Sequence, residues 1–345
     1  MAPPAISVVV VNYNGEDFLS DCLNALRSQT FTDFEVIVVD NGSTDGSPDL
    51  LRDRFQWVRV IRLAENTGFA RGNNIGFASS AAKYVATLNN DTIVSGGWLQ
   101  ALHEAAEADS NIGMAASKIY LGREGSELDS AGMLIYPDGM SRQRGHGQID
   151  PEVEGTGRFD RPEEVLFPSA CAALYRRAML DDVGFFDEDF FSYCEDSDLG
   201  LRARLAGWKA VFAPRAVVRH LYSGTGGRYS EFKAFHIERN HFMVLLKDMP
   251  PSYIIMFPFY AAWRYTVQLF GLLTGKGSAA RFAEGHGKSG LISVIFRAWW
   301  AVLAGLPGIL GKRQKIWSRR RITRKAYADL LKRHRISASE MALSD

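Results

Sequence analysis

The alternation of apolar runs with amphipathic stretches predicts an α/β fold from Ile6 to about Val218. Short runs rich in β-branched residues, beginning with ISVVVVNYN, are typical of strands that are buried on both faces of a sheet. The stretch EDFLSDCLNALRSQT, which follows the first run, repeats apolar residues at helical spacing. Strands that alternate with helices indicate a mostly parallel, Rossmann-like sheet flanked by helices.

Polar residues follow several of the predicted strands. Asn12 ends the first strand, Asp40 ends FEVIVVD, and Asp91 ends KYVATLNND. Ligands of such sheets bind outside the carboxyl ends of the strands, so we expect these three residues to converge on one crevice. The late run KAVFAPRAVVRHLYSGTGG is expected to supply further strands that end near His220.

Two segments depart from this pattern. Residues 122–164 are rich in Gly, Asp, Glu and Arg and have weak periodicity, which predicts an irregular or hairpin insertion that serves as a lid or an acceptor loop. Beyond residue 249 the composition becomes apolar. We therefore predict an α/β domain at residues 1–249 and a C-terminal helical, membrane-associating region at residues 250–345.

The C-terminal region contains two apolar segments, Tyr253–Leu273 and Leu291–Leu310, separated by a Gly-rich connector. Arg264 and Arg297 interrupt them, and an arginine at the centre of a bilayer costs roughly 2.5–3.5 kcal/mol. Helices that lie in the interface plane fit this pattern better than a membrane-spanning hairpin, because the arginines can then extend to the headgroups. A soluble helical or oligomerisation unit is the remaining alternative.

Composition and charge narrow the class of protein. The chain has 345 residues, of which 46% are hydrophobic, and a formal charge of only +1, which gives no reason to expect a nucleic-acid partner. Residues 311–325 carry many Lys and Arg and no acid, and each would add roughly 1 kcal/mol of attraction to an anionic leaflet. Three cysteines without metal-binding spacing favour a reducing compartment. The apolar run at the N-terminus resembles a strand and not a signal peptide, so we expect the cytoplasmic face of the cell membrane.

Asp40 and the glycines of ENTGFARGNNIGF are the first candidates for ligand binding. An aspartate after a buried strand can accept a hydrogen bond from a base or a ribose, although an Asx-turn or a helix cap explains such a loop equally simply. Gly68, Gly72 and Gly76, with Asn73 among them, predict a turn that leads into a helix N-terminus. The stretch is similar to a phosphate cradle but matches neither the dinucleotide fingerprint nor the P-loop.

Asp91 and His220 are candidate metal ligands. One carboxylate at a strand end suits a divalent cation that takes its other ligands from substrate phosphates and water. An imidazole nitrogen would favour Mn²⁺ over Mg²⁺. Taken alone, a histidine at such a position is more often a packing residue than a metal ligand.

The stretch FFSYCEDSDLGLRARLAGW places Glu195, Asp196 and Asp198 directly after an aromatic run. The apolar spacing that follows predicts a helix whose first turn holds these acids, where the helix dipole stabilises them without any catalysis. Three carboxylates exceed what a cap requires. Arg202 is expected to orient one of them.

Taken together, the motifs resemble the family 2 inverting glycosyltransferases of GT-A fold, in particular the bacterial rhamnosyltransferase-like branch. The resemblance covers about Ile6–Lys247 and rests on the order of VVVVNYNG, VVDNGSTDGS, NTGFARGNNIGF, LNND, FDEDFFSYCEDSDLGLRARLAGW, a late RH and ERNHFMVLLK. The family's DXD-type motif is represented by Asn89, Asn90 and Asp91, so this chain carries one acid there. The processive signature Q-x-x-R-W is absent from the sequence.

The resemblance implies a role for each candidate residue. Asp196 would be the general base, with Glu195 as a second catalytic acid beside it, and Asp91 and His220 would bind Mn²⁺ or Mg²⁺. The remaining candidates are a nucleotide-sugar set, Asn12, Asp40, Arg71, Asn73, Asn90 and Asp91, and an acceptor set, Asp198, Trp208 and Arg239.

The implied reaction is one in-line displacement with inversion, in which a sugar passes from a nucleotide-sugar donor to a polyprenyl-diphosphate-linked or other saccharide acceptor at an anionic membrane surface. dTDP-L-rhamnose is the preferred donor, with a UDP-sugar or a non-catalytic nucleotide-sugar-binding protein as alternatives. A sugar nucleotidyltransferase would need a lysine-bearing, glycine-rich signature after the first strand, and NYNGEDFL lacks one. The C-terminal helices are also compatible with a homo-oligomer.

Overall fold

The apolar runs of the sequence form the centre of a large mixed sheet. The computed structural model describes residues 2–150, 157–221 and 229–343. The chain divides into two compact units, of which the first comprises Met1–Met133, Gln143–Ser192 and Trp208–Thr225 and the second Leu134–Arg142, Tyr193–Gly207 and Gly226–Asp345. The sequence-based boundary between residues 249 and 250 differs from this division, because residues 134–142, 193–207 and 226–248 also belong to the second unit.

The first unit holds ten strands in one sheet within the described residues, in the order β10-β12-β6-β11-β4-β1-β2-β3, with β5 beside β12 and β7 beside β6. The strands are β1 Ile6–Asn12, β2 Phe34–Asp40, β3 Arg59–Arg62, β4 Tyr84–Asn89, β5 Thr92–Val94, β6 Ile112–Leu121, β7 Leu128–Ser130, β10 Glu163–Glu164, β11 Ala172–Arg176 and β12 Lys209–His220. A separate pair, β8 Met133–Ile135 and β9 Ser141–Gln143, contains the points where the chain passes between the units.

The central strands confirm the predicted α/β class. β1 pairs in parallel with β2 and β4, and β12 pairs in parallel with β6, while β11 runs antiparallel between β4 and β6. β1 is buried almost throughout, as expected for a strand covered on both faces. The helices of this unit are α1 Glu16–Arg27, α2 Ser47–Arg54, α3 Gly68–Ala78, α4 Trp98–Glu107, α5 Arg177–Val183 and a short 3₁₀ helix Glu188–Phe190.

The late strand region forms one long strand, β12, where the sequence suggested several. Its pairing with β6 shifts register between Ala213 and Val217. Pro214 lies in this gap, and a proline has no N–H to donate to a sheet ladder, so an irregularity at this point is expected.

The second unit is helical. Its helices are α6 Glu195–Leu205, α7 Glu231–Asp248, α8 Pro251–Thr274, α9 Gly277–Ser318, α10 Arg324–Arg333 and α11 Ala338–Leu343. α9 is interrupted at Gly287, whose φ of 71° and ψ of 167° are not helical. α7 packs along α9, and α8 packs against α9 and α11. Both predicted apolar segments therefore lie in helices.

Candidate active site

The carboxyl ends of three neighbouring strands bring the predicted polar residues of the first unit into register. Asn12 is the register partner of Asp40 across β1 and β2, and Val11 is the partner of Asn89 across β1 and β4. The parallel pairing places all three strand ends at one edge of the sheet. Asn12, Asp40 and the start of the LNND motif are thus neighbours, as the sequence predicted.

Asp40 is a buried carboxylate without a hydrogen bond. It is 0% exposed, and neither carboxylate oxygen has a hydrogen-bond partner among the described residues. The nearest cation is Arg62, whose Nε lies 3.6 Å from Oδ2 and whose side chain is 66% exposed. A buried acceptor is costly when it is unsatisfied, so this position is suited to receive a donor group from a ligand.

Asn12 and Asn90 are linked side chain to side chain. The Nδ2 of Asn90 donates to the Oδ1 of Asn12 at 2.8 Å, and the Nδ2 of Asn12 donates to the Oγ of Ser43 at 3.1 Å. A Cβ at Gly15 would lie 2.1 Å from the Asn90 amide nitrogen, so only glycine permits the first loop to pass this close. The two asparagines organise the loops at the strand ends.

Asn41, which the sequence analysis did not single out, ties the end of β2 to the turn before α3. Its Nδ2 donates to Asn66 Oδ1 at 3.0 Å and to the Gly68 carbonyl at 3.1 Å, and its Oδ1 accepts from the Thr67 N–H at 2.9 Å. Gly68 has a φ of +86° and approaches Phe191 too closely for a side chain. The polar residue directly after a strand-end aspartate was the available signal for Asn41.

The other residues of the glycine-rich motif have structural contacts. Cβ atoms at Gly72 and Gly76 would lie 2.9 Å from Val11 and 2.4 Å from Val9, so these glycines let α3 pack closely on β1. Asn73 is buried and donates to the Phe69 carbonyl at 2.9 Å within the same helix. Arg71 is 58% exposed and lies 3.9 Å from Glu188. Nucleotide binding by Arg71 and Asn73 stays a prediction.

Asp91 and His220, which are far apart in sequence, meet at the other end of this edge. The His220 Nε2 lies 3.4 Å from the Asp91 Oδ1, and β5, which follows Asp91, pairs with the end of β12. The His220 Nδ1 lies 2.9 Å from the Oδ2 of Asp129, a residue that the sequence analysis missed. The imidazole therefore lies between two carboxylates.

Without a bound cation, the two carboxylates favour the protonated form of His220, and a cation that binds Nε2 would replace the proton there. Burial alone would lower the pKa of His220, but the neighbouring Cys171 and the carboxylates of Asp129 and Asp91 raise it well above its ordinary value. Burial raises the pKa of Cys171, although His220 opposes the rise. A buried thiol of this kind is a poor nucleophile.

Asp91 and His220 offer two protein ligands to a divalent cation. Among the described residues no group of three or more His, Cys, Asp or Glu side chains has the arrangement of a complete metal site. A carboxylate oxygen and an imidazole nitrogen that face each other at 3.4 Å nevertheless suit a cation that takes its remaining ligands from phosphates and water.

In the second unit, the predicted acids follow a strained turn. Tyr193 and Cys194 have φ values of 70° and 65°, which is the left-handed region that non-glycine residues rarely adopt. The Tyr193 carbonyl accepts a hydrogen bond from the Asn240 Nδ2 at 2.7 Å, which holds the turn to α7. Strained turns of this kind persist where the surroundings fix them, and they are concentrated at functional sites.

Glu195 and Asp196 begin α6 in different environments. Glu195 is 5% exposed, and burial, together with the adjacent Asp196, raises the pKa of Glu195 well above its ordinary value. Asp196 is half-buried, and its Oδ1 accepts from the N–H of Ser197 at 2.7 Å and from the Ser197 Oγ at 3.2 Å. Both acids lie in the first helical turn, as predicted.

Asp198 is an ion-pair residue of the core. It is 0% exposed, contacts the Lys247 ammonium, and accepts from the Arg202 Nε at 2.9 Å. Arg202 thus orients Asp198, one of the three acids, as expected. This burial favours a structural role for Asp198 over the predicted acceptor contact, which no observation supports.

The other two acceptor candidates have local partners. Trp208, in the first unit, donates from Nε1 to the Asp182 Oδ2 at 2.8 Å. Arg239, in the second unit, is half-buried, donates to the Asn240 Oδ1 at 2.8 Å, and lies over the ring of Phe235. Arg239 is therefore next to the asparagine that holds the strained turn, while acceptor binding by either residue stays a prediction.

The sequence matches the family described as glycosyl transferase family 2 over residues 7–184, which include the strand ends Asn12, Asp40 and Asp91. This chain belongs to glycosyl transferase family 2. Residues 158–309 also match glycosyl transferase family group 2. The protein is thus a glycosyltransferase, as the motif order predicted.

Two relatives illustrate the range of the family. An N-acetylglucosaminyl-diphospho-decaprenol L-rhamnosyltransferase of Mycobacterium tuberculosis is 30% identical over 253 residues, which cover 68% of this chain and 81% of that protein. The uncharacterized glycosyltransferase EpsJ of Bacillus subtilis is 28% identical over 214 residues, which cover 58% of this chain and 56% of EpsJ. This chain thus spans only about half of EpsJ.

Solved structures show the same fold. GalNAc-T7, crystallised with UDP, GalNAc and Mn²⁺, has a TM-score of 0.58 at 17% identity, covering 74% of this chain and 50% of that one. S. aureus TarS residues 1–349, in complex with UDP, has a TM-score of 0.51 at 16% identity, covering 94% of this chain and 91% of that one. The family 2 transferase therefore has the predicted GT-A fold.

Proposed function

We propose that this family 2 member is a metal-dependent, inverting rhamnosyltransferase that uses dTDP-L-rhamnose and a lipid-linked or saccharide acceptor. The observation that carries the proposal is the pairing of Asp91 with His220 at 3.4 Å, at the same sheet edge as the buried, unsatisfied Asp40. This edge has the groups that a nucleoside diphosphate sugar and its cation require. The relative from M. tuberculosis supports the choice of rhamnose.

The first unit would bind the sugar donor. The Asp40 carboxylate would accept hydrogen bonds from the base, and the Asn12 and Asn90 pair would hold the loops beside it. Asp91 and His220 would hold Mn²⁺ or Mg²⁺ against the diphosphate. The bound cation supplies neutralisation of the charge that develops on the leaving diphosphate.

Asp196 would act as the general base of the second unit. Its carboxylate is half-buried at the start of α6 and has a hydrogen bond to Ser197 that fixes its orientation. In a single displacement it would take the proton of the acceptor hydroxyl as that oxygen attacks the anomeric carbon. Glu195 is more deeply buried, and we assign it to shaping the turn around Asp196.

A donor panel tests the proposal directly. Purified protein with Mn²⁺ is incubated with dTDP-L-rhamnose and with UDP-glucose, UDP-galactose and UDP-N-acetylglucosamine, with and without a polyprenyl-diphosphate saccharide. We expect transfer from dTDP-L-rhamnose with inverted anomeric configuration, read by NMR of the product. Faster transfer from a UDP-sugar would replace the donor assignment, and a retained configuration would overturn the single displacement.

We place the protein on the cytoplasmic face of the membrane as a monotopic enzyme that meets a lipid-linked acceptor there. Among the described residues, one helical segment, Ser289–Ser318, is long and apolar enough to cross a membrane. α8 and α9 also expose many large apolar side chains. These are Ile255, Met256, Phe259, Trp263, Leu269, Phe270 and Leu273 on α8, and Ile292, Phe296, Trp299, Trp300, Leu303 and Leu310 on α9.

The one charged side chain of α8, Arg264, lies away from the exposed apolar surface of this helix. Arg264 is 0% exposed and is paired with Asp138, so the prediction that it extends to the lipid headgroups is wrong. Arg264 is the only charged residue of α8, and its burial leaves the outward side of the helix without charge. Such a face, with a basic segment after it, is typical of an interfacial helix on anionic lipid.

The contacts of α9 with α7 support an orientation in the plane of the membrane. At the C-terminal end of α7, Arg313 donates to the Leu246 and Met249 carbonyls at 2.9 Å. At the N-terminal end of α7, Arg297 lies 3.5 Å from Glu231. A spanning α9 would carry the charged helix α7 into the hydrocarbon, which is unfavourable.

Exposed residues allow a clean test of this location. Phe259→Glu and Trp300→Glu should each weaken binding to vesicles that contain anionic lipid, by roughly tenfold or more, because a large apolar side chain no longer enters the membrane. The control is Val60→Glu, an exposed apolar residue of β3 that should leave binding unchanged. Equal vesicle binding by all variants would contradict the assignment. An impermeant thiol reagent should label both Ser289→Cys and Ser318→Cys from outside the vesicle, whereas a spanning helix would protect one of them.

A further inference from the structure

Asp129 lies in the segment that the sequence predicts as a lid or an acceptor loop, yet it is built into the sheet. It is 3% exposed and belongs to β7. Its carboxylate Oδ2 lies 2.9 Å from the Nδ1 of His220, while the opposite ring nitrogen, Nε2, lies 3.4 Å from Asp91. The two carboxylates thus contact different nitrogens of one imidazole.

A neutral imidazole carries its proton on one nitrogen and a lone pair on the other. A carboxylate that accepts the Nδ1 proton leaves the lone pair on Nε2, where a cation can bind. We propose that Asp129 is a positioning residue, which fixes the tautomer and the ring orientation of His220 so that Nε2 faces a divalent cation shared with Asp91. This inference rests on the proposed metal site.

The sheet register holds Asp129 and His220 together. β7 pairs with β6, where Ser130 opposes Ile119 and Leu128 opposes Tyr120. β12 pairs with the same strand, where His220 opposes Leu121. β6 is thus the common neighbour of both strands, and Asp129 lies at the register shift between the two β7 pairs, so paired residues on both sides of it hold it near His220.

The His146 Nδ1 lies 3.3 Å from the other carboxylate oxygen, Oδ1, and 3.2 Å from the Asp129 backbone carbonyl. Oδ1 has no hydrogen bond from a described residue, so His146 contributes an electrostatic contact and a link to the main chain of Asp129. His220 also contacts the Cys171 thiol. Among the described residues, the carboxylate of Asp129 thus has its hydrogen bond with His220, as expected for a residue that orients a metal ligand.

The test measures metal binding without sugar transfer. Mn²⁺ affinity is determined from the electron paramagnetic resonance signal of free Mn²⁺, in the presence of saturating dTDP, for the wild type, Asp129→Ala and Asp129→Asn. We expect Asp129→Ala to weaken Mn²⁺ binding by roughly 10- to 100-fold. Asp129→Asn should lose less, because its amide oxygen still accepts the Nδ1 proton. Unchanged Mn²⁺ affinity in both variants would overturn the inference.

Asp150→Asn is the matched control. Asp150 is a buried acid of the same segment, but it pairs with Lys118 and not with a histidine. Its substitution should lower stability and leave Mn²⁺ affinity unchanged. If Asp129→Ala does not fold, Asp129→Asn carries the test, because the two side chains have the same size. An equal loss in Asp150→Asn would indicate general damage and would overturn the positioning role.

A spectroscopic readout separates positioning from simple packing. In the wild type with Mg²⁺ and dTDP bound, the ¹⁵N shifts of His220 should show a metal-bound Nε2 and a protonated Nδ1, and in Asp129→Ala the metal-bound Nε2 signal should be lost at the Mg²⁺ concentration that saturates the wild type. A wild-type proton on Nε2 would refute the inference. If Asp91→Ala and His220→Ala also leave Mn²⁺ affinity unchanged, the proposed metal site itself fails. If only those two variants lose affinity, the metal site stands and the role of Asp129 does not.

Discussion

Asp40 in the first unit and Asp198 in the second are both completely buried, yet their surroundings differ. Asp198 contacts Lys247, which is as deeply buried as Asp198 itself, and Arg202. Asp40 has only a distant, exposed arginine, and its oxygens accept no hydrogen bond from any described residue. Because a buried charge is costly without a partner, Asp198 serves the fold, whereas Asp40 is suited to a ligand.

The same contrast holds within the first turns of α6. Asp196 and Asp198 are two positions apart, but Asp198 is completely buried and contacts the buried Lys247, whereas Asp196 is half-buried and accepts a local hydrogen bond from Ser197. The local pattern of acids is therefore a poor guide to function, and the supply of buried countercharge is a better one.

Asp196→Asn should show the largest effect. Loss of a general base lowers the rate of sugar transfer by roughly 10²- to 10⁴-fold, while nucleotide binding should stay at the wild-type level. The measurement is steady-state transfer beside nucleotide titration. Turnover close to that of the wild type would show that Asp196 is not the general base. The contrast between a catalytic Asp196 and a structural Asp198 would then fail.

Asp198→Ala should unfold more easily by about 3–5 kcal/mol, because it removes the carboxylate that contacts the buried charges of Lys247 and Arg202. Guanidinium denaturation measures the free energy of unfolding. Asp196→Asn is the control and should have nearly wild-type stability. A loss below about 1 kcal/mol in Asp198→Ala, the range of exposed ion pairs, would show that Asp198 is not structural.

Glu195→Gln should change the pH dependence of stability. The pKa of Glu195 is raised in the folded state, so the unfolded chain releases this proton at a lower pH than the folded protein does. The wild type therefore loses stability as the pH rises from the unfolded pKa, about 4.3, towards the folded one. The glutamine variant should match the wild type near pH 4 and have a higher melting temperature at pH 7. If the melting temperatures of the wild type and Glu195→Gln changed in parallel with pH, the raised pKa of the buried Glu195 would be contradicted.

Asp40→Ala should weaken nucleotide binding by roughly 10- to 100-fold, the range for hydrogen bonds to a charged group. Its free energy of unfolding should not fall, because no hydrogen bond within the described residues is lost. Isothermal titration with dTDP and thermal unfolding test both parts. Asp53→Ala on α2, an exposed acid paired with Arg52, is the control. A strong loss of stability in Asp40→Ala would make it a structural acid like Asp198.

Much of the fold could be predicted because apolar runs and helical spacing are local features of the sequence. The apolar runs fixed where strands lie, and the parallel order then placed Asn12, Asp40 and the LNND motif at one edge. The proximity of Asp91 and His220 was also predicted, from a resemblance of motifs. Which of these residues bind nucleotide or metal stays a prediction.

The contacts that could not be predicted all depend on distant pairing. Asp129 lies in a three-residue strand among glycines, and its meeting with His220, 91 positions away, requires knowledge that β6 pairs with both β7 and β12. Arg264 was expected at the lipid headgroups because no local residue could pair with it; its partner, Asp138, is 126 positions away in the sequence. Neither partner has a periodic signal in the sequence.

For the membrane-docked enzyme proposed above, the pair of Arg264 with Asp138 predicts an order of events during biogenesis. A newly made α8 exposes a bare guanidinium, and taking it into a bilayer would cost roughly 2.5–3.5 kcal/mol. Once Asp138 has covered that charge, the helix offers lipid a neutral side. We therefore expect the enzyme to fold first and dock afterwards, so that Asp138→Asn should slow its capture by vesicles during refolding, measured by time-resolved flotation.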